Sequence, residues 1–375
     1  MQSIFLEFLL MDSLTDTSNI RNITPQCSCY SCGFSAGQIL SLSRLIEQDA
    51  RKEERDADPL RGLKVAITID DLFLWKGVPW PDGYSPSSVT KALVEAFAHQ
   101  GLQGIHAFTA TAPAADDPKL LSIFDDWVGA GHHVGNHTHF HSNLNWVSPQ
   151  GYIRDIELGE KDIARWLSMS SVKYFRYGQD GWGNTREKYD EVQAYLKRNA
   201  YQAAPISAWF YDTEFIAPHV RCIRCGDADA IKVVQEAFVE TAVQQLRSHA
   251  RLAAATLGRT PPLIFLMHAT PLAQDCAERV IERLVSGGVE FVSLDTAMQD
   301  PFNSGDPGLI TPKFYNKTQK WAATRNLYLE ECPPSILERL DSIHPQSGPS
   351  TQQMMTSIFE PIAREVGGTY TLKQY

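Results

Sequence analysis

No apolar run in the 375-residue chain approaches the roughly 20 residues that a membrane-spanning helix needs, and the longest candidate, Ile4 to Met11, is broken by Glu7. No membrane partner is therefore expected. Positive charge is also scarce, with 34 Lys and Arg against 44 Asp and Glu, a net −10 at pH 7. Such a chain lacks the basic footprint that a phosphate backbone or an anionic lipid surface selects for, which excludes nucleic acid as an expected partner and suits a neutral or weakly charged substrate. The Ile4–Met11 segment has neither a basic flank nor a small-residue cleavage site, so no signal peptide is expected and the cytoplasm is favoured over secretion. Cysteine is sparse and odd in number, seven in all, which argues against a disulfide framework. Cys27, Cys29 and Cys32 form one cluster and Cys222 and Cys225 a CxxC, but no paired CxxC motifs exist, so free thiols are a better reading than structural zinc.

What is present is an ordinary globular composition, 43% hydrophobic and 21% charged. Residues 1–60 show no strand periodicity and carry a dense charge run at Arg51–Asp58, which reads as an N-terminal extension with a solvated helix beginning near Gln38. From Leu63 apolar runs alternate with capped amphipathic segments, the pattern of βα units around a parallel sheet. Strands are expected at 63–69, 104–108, 132–135, 172–176, 201–207, 263–267 and 289–293. Between them, helices are expected over 86–99 with Ser85 as N-cap, from Asp117-Pro118 to Gly131, over 152–167, from an Asn184 cap to about Arg198, over 230–257 and over 275–286. Seven strand-plus-helix units without a composition break predict one α/β domain over 61–300, a distorted (β/α)7 TIM-like barrel. Residues 301–375, rich in Pro, Ser and Gln with a few short helical stretches, read as a C-terminal tail packing on or near it.

In such a barrel the loops at the carboxyl ends of the strands share one mouth, so polar residues there are the ones to test. Asp70-Asp71 ends the first strand, and adjacent residues point in different directions, so one carboxylate can ligate a metal while the other faces a reacting water. A lone Asp pair is more often a polar loop start. His137 and His141 change that balance, because a spacing of four puts two imidazoles on one face of a helical turn, where they can share one ion. Five of the eleven histidines lie between His132 and His141, and His132, His133 and His139 are read as ordinary core or surface residues. Asp71, His137 and His141 together make two imidazoles and a carboxylate with a position open for water, the composition of catalytic zinc. Cobalt, manganese and iron are alternatives. His268 follows the apolar run Ile264–Met267 and is a candidate general acid, and Arg176 can pair with Asp70 and hold it ionised. Taken singly, a capping histidine and a solvated arginine are the more common outcomes.

These residues, in this order, resemble the polysaccharide deacetylases of carbohydrate esterase family 4, the NodB-homology domain, over about Leu63 to Asp300. Thr68-Ile69-Asp70-Asp71 is similar to the first family motif and Gly135–His141 to the second, HTxxH. Phe175-Arg176 is similar to the third and Leu266-Met267-His268 to the fifth. The resemblance implies Asp70 as general base, Asp71, His137 and His141 as ligands of a divalent metal, Arg176 as the residue orienting the base, and His268 as general acid. The third motif departs from the family pattern, reading Tyr177-Gly178-Gln179-Asp180-Gly181 where prolines and an aromatic residue are usual. In the fourth, Ile206–Thr213, one aspartate remains, with Thr213 where tryptophan is usual, and Asp212 is then the residue that orients His268.

The implied activity is metal-dependent removal of acetyl groups from N- or O-acetylated carbohydrate. Two rivals stand beside it: an amide or cyclic imide hydrolase acting on a small molecule, which the altered third and fourth motifs suit, and a non-catalytic carbohydrate-binding barrel. The sequence leaves substrate, native metal and oligomeric state open.

Overall fold

In the computed structural model the chain divides into the units Met1–Asp58 and Pro59–Tyr375, and the structure describes residues 58–329 and 338–374. The expected helix near Gln38 and the Cys27, Cys29 and Cys32 cluster lie outside the described residues.

Seven parallel strands form one sheet: β1 Lys64–Asp70, β2 His106–Thr109, β3 His133–Asn136, β4 Lys173–Phe175, β5 Tyr201–Ala203, β6 Leu263–His268 and β7 Glu290–Phe291, in the order β5-β4-β3-β2-β1-β6 with β7 on β1. Six of the seven residues of β1 are buried, as a strand covered on both faces requires. The chain does not leave the sheet after β5. It remains extended, and Ala208 makes an isolated parallel bridge with Phe265 of β6. The bridge is reinforced by Ala208 N donating to Ile264 O and Leu266 N donating to Ala208 O. The edges of the sheet thereby meet, and the barrel closes on six strands. The expected strand over 201–207 is thus split between two neighbours, and β7 is reduced to two residues at the amino end of β1, which is the distortion.

Helices follow the strands: α1 Pro86–His99, α2 Ser122–Gly129, α3 Pro149–Leu167, α4 Arg186–Arg198, α5 Ile216–Cys225, α6 Ala228–Leu257, α7 Pro271–Ser286, α8 Lys317–Ala323 and α9 Thr351–Glu365. Ser85 caps α1 in a capping box with Ser88, as expected. Several boundaries differ from the sequence reading. Thr185, not Asn184, caps α4. Ser148 and Thr270 cap α3 and α7 earlier than expected, each with a proline in the first turn. The segment opening at Asp117-Pro118 makes a 3₁₀ turn before α2 begins. α5 was not expected, whereas α8 and α9 lie beyond Asp300, where a few short helical stretches were expected. No described helix is long and apolar enough to cross a membrane.

The region beyond residue 300 is tied to the barrel by specific contacts. Arg221 of α5, 1% exposed, donates to the carbonyls of Leu340, Ile343 and Pro349. Lys320 of α8 donates to the Asp180 carboxylate at 3.0 Å, and Lys317 N donates to Ile206 O at 2.7 Å.

Candidate active site

The register of the sheet assembles the site. Asp70, the last residue of β1, and His268, the last of β6, are direct parallel partners, so the two groups stand side by side at the carboxyl end of the barrel. Asn136 closes β3 beside Phe175 of β4, which brings His137 and Arg176 to the same rim.

Asp70 and Asp71 diverge because Asp71 adopts a left-handed φ of 55°, a conformation that costs a non-glycine residue energy and is held here by surrounding contacts. The Asp71 carboxylate accepts from Trp75 Nε1 at 2.6 Å and from Ala110 N at 3.0 Å. Asp70 instead turns to Arg176, whose Nη1 donates to Oδ1 at 2.8 Å and to Thr68 Oγ1 at 2.7 Å. Arg176 is wholly buried, with its guanidinium 4.2 Å from the Phe108 ring and Nε donating to Ala204 O. Asp70 Oδ2 lies 3.7 Å from His137 Nε2.

Asp71, His137 and His141 each bring a ligand atom to within 4.8 Å of the others, and all three are buried. Their arrangement differs from the expected helical turn. The segment 137–141 is a loop in which Thr138 and His141 take left-handed φ values of 67° and 59°. A buried carboxylate on α3 holds that loop: Asp155 Oδ1 accepts from the N–H groups of His139 and Phe140, and Oδ2 accepts from the Ser142 hydroxyl at 2.5 Å. Gly159, one turn further along α3, lets the loop approach, since a Cβ there would meet the Thr138 carbonyl carbon at 2.6 Å. His139 packs outside the cluster against Asp162.

The cluster has the chemistry of a cation site. His137 Nδ1 faces the Arg176 carbonyl at 2.9 Å, which makes Nδ1 the protonated nitrogen and leaves a lone pair on Nε2. His137 Nε2 is buried without a hydrogen-bond partner, an expensive condition that a cation would relieve. His141 Nε2 lies 3.4 Å from Asp71 Oδ2. Burial, the largest influence, pushes the Asp71 carboxyl up and pulls the His141 imidazole well down. His141 is thereby held in the neutral form that a metal requires, and a divalent charge would restore the Asp71 carboxylate. Zinc, cobalt, manganese and iron all suit two imidazoles and a carboxylate.

His268 is governed by Asp212, whose carboxylate meets its Nδ1 at 2.9 Å and its backbone N at 2.5 Å. Burial lowers the imidazole, but Asp212, followed by Asp70 and Asp71, outweighs burial and raises it above its ordinary 6.5. All seven sequence candidates therefore converge on one mouth. Sequence reasoning gave no role to Trp75, Phe314, Phe359 or Lys373, which line the same pocket. Only Trp75, four residues after Asp71, carried a local signal.

The polysaccharide deacetylase family model matches residues 58–201. No curated protein sequence matches the chain. Among solved structures, the chain is similar to a family 4 carbohydrate esterase from Streptomyces lividans in complex with acetate, at 19% identity and TM-score 0.39, covering 63% of this chain and 95% of that one. It is similar to the family 4 carbohydrate esterase PdaA of Bacillus subtilis at 17% identity and TM-score 0.40, covering 68% and 89%. It is also similar to BA3943, described as a CE4 family pseudoenzyme from Bacillus anthracis, at 15% identity and TM-score 0.42, covering 64% and 66%. The matched span holds Asp70, Asp71, His137, His141 and Arg176, and over residues 58–201 the chain is similar to the polysaccharide deacetylase family.

Proposed function

We propose that the protein is a metal-dependent hydrolase that removes acyl groups, acetyl foremost, from an N- or O-acetylated substrate of carbohydrate type. The observation that carries this reading is the side-by-side register of Asp70 and His268 next to the buried Asp71, His137 and His141 cluster. A carboxylate and an imidazole, each oriented by its own buried partner, flank one cation site.

Asp71, His137 and His141 would hold the divalent metal, zinc first. When bound, the metal lowers the pKa of water and polarises an acyl carbonyl. Arg176 occupies Asp70 Oδ1, which leaves Oδ2 to accept the proton of the attacking water. Asp212 fixes the proton of His268 on Nδ1, so in the imidazolium state Nε2–H is the group that protonates the departing amine or alkoxide. An amine leaves poorly without that proton, and the raised pKa of His268 keeps it in supply.

The test is acetate release by zinc-loaded full-length protein from N-acetyl and O-acetyl substrates, with Asp70→Asn alongside. The substitution should keep the metal and lower kcat by about 10²–10⁴-fold, the usual worth of a general base. Absence of release from any amide or ester at metal saturation would reject the hydrolase reading and favour a non-catalytic barrel.

A further inference from the structure

The reacting groups lie at the bottom of a pocket whose roof is built by residues beyond 300. Phe359 of α9 sits 4.8 Å from the Trp75 ring and 5.6 Å from the His141 ring, centroid to centroid. On the facing wall Phe314 stacks on Trp209 at 4.3 Å. Lys373 completes the lining through its ion pair with Glu214 at 2.9 Å. Asp70 is 1% and Phe359 2% exposed. With its mouth to solvent counted, the space is about 510 Å³. A chain of linked sugar rings needs an open groove leading away from the reacting unit on both sides, and the two aromatic walls leave room for a compact body instead.

Two residues of this lining carry a donor without a partner. Gln179 Nε2 and Trp209 Nε1 are buried and unpaired. The Gln179 amide has a defined orientation, because its Oε1 accepts from Asn143 Nδ2 at 3.4 Å and its backbone is held at a left-handed φ of 53°. Leaving two buried N–H groups unsatisfied is costly, and a ligand oxygen at each would remove the cost. Strained backbone beside a reaction centre has the same tendency to mark ligand contact.

We propose that the substrate is a compact, oxygen-rich acylated molecule, the size of a single sugar ring. Its hydroxyl or carbonyl oxygens accept from Gln179 Nε2 and Trp209 Nε1, and its body is enclosed between Trp75 and Phe359 on one side and Trp209 and Phe314 on the other. A polymer is excluded by Phe359 as the pocket stands. The identity of the reaction rests on the hydrolase reading above, whereas the size and contacts of the ligand do not.

The experiment uses zinc-loaded full-length protein and two probe sets: single-ring N-acetyl monosaccharides with small cyclic imides, and N-acetylglucosamine oligomers of graded length. Amide cleavage is measured for kcat/KM and tryptophan fluorescence for binding. The expected result is a kcat/KM for at least one single-ring probe that exceeds that of the longer oligomers by about tenfold or more. Trp209→Phe and Gln179→Leu should each raise KM for that probe about 3–10-fold, the worth of one neutral hydrogen bond. Phe359→Ala should narrow the gap between ring and oligomer. A kcat/KM that rises with chain length overturns the proposal, as does an unchanged KM in both donor variants. If no probe is cleaved, the hydrolase reading falls and binding decides: preference for a single ring sustains the proposal, whereas preference for oligomers or no binding overturns it.

Discussion

Asp155 does not line the pocket, yet the loop from His137 to His141 depends on it. Its Oδ1 accepts from His139 N at 3.0 Å and Phe140 N at 2.7 Å, while Oδ2 accepts from Ser142 N at 3.4 Å and Ser142 Oγ at 2.5 Å. His139 N has a second acceptor in the Asp155 carbonyl, so Asp155→Ala orphans the backbone donors of Phe140 and Ser142 and the Ser142 hydroxyl. At about 1–3 kcal/mol for each unsatisfied buried donor, the loss is roughly 3–9 kcal/mol of stability. Asp155→Asn keeps the acceptor for His139 and Phe140 but turns an amide donor toward Ser142 N–H. The Ser142 hydroxyl can rotate to accept, so the cost is one donor, about 1–3 kcal/mol. Because the loop carries His137 and His141, zinc affinity should fall about 10–100-fold in the alanine variant, the usual effect of removing a group that orients ligands. Urea unfolding of the metal-free protein gives the first quantity and competition with a chelator the second. An alanine variant within about 0.5 kcal/mol of wild type, the spread of ordinary surface substitutions, with undiminished zinc affinity, would refute the role given to Asp155.

Three further outcomes follow from the same geometry. Gly159→Ala sets a Cβ 2.6 Å from the Thr138 carbonyl carbon, so it should cost about 1–3 kcal/mol in urea unfolding and weaken zinc binding; a neutral effect on both would show that the loop does not rest on α3. Arg176→Leu leaves the Asp70 carboxylate buried without its partner and should destabilise by about 3–5 kcal/mol, whereas a stability near wild type would contradict the pairing. In the metal-free protein His268 is raised by Asp212 despite burial, so the stability it contributes is full below its unfolded pKa near 6.5 and is lost as pH rises through the higher folded value; NMR titration should show this, with Asp212→Asn moving the midpoint down, and an unmoved midpoint would remove Asp212 from that role.

The strand ends were readable from sequence because each apolar run stops at a polar group. β1 is apolar from Val65 to Ile69 save for Thr68 and then meets Asp70, and β6 is apolar from Leu263 to Met267 before His268. The pair His137 and His141 was legible as composition and spacing but not as conformation. A spacing of four suggests a helical turn, whereas the loop is imposed from a distance by Asp155 and Gly159, whose roles no local pattern announces. α5 was hidden by Pro218, which reads as a breaker but occupies the first turn of the helix. The roof was hidden for another reason. Phe359 lies in a Pro-, Ser- and Gln-rich stretch with Pro361 inside its helix, and only tertiary packing against Trp75 and His141 gives it a place in the site.

The most direct test of the central claim is a crystal structure of the zinc-loaded protein with anomalous data collected at the zinc edge. The expected result is one strong peak at the barrel mouth, about 2.0–2.1 Å from a nitrogen of His137 and of His141 and about 2.0–2.2 Å from an oxygen of Asp71, with Asp70 outside ligand distance and still paired to Arg176. A peak coordinated by Asp70, or no peak among Asp71, His137 and His141, would contradict it.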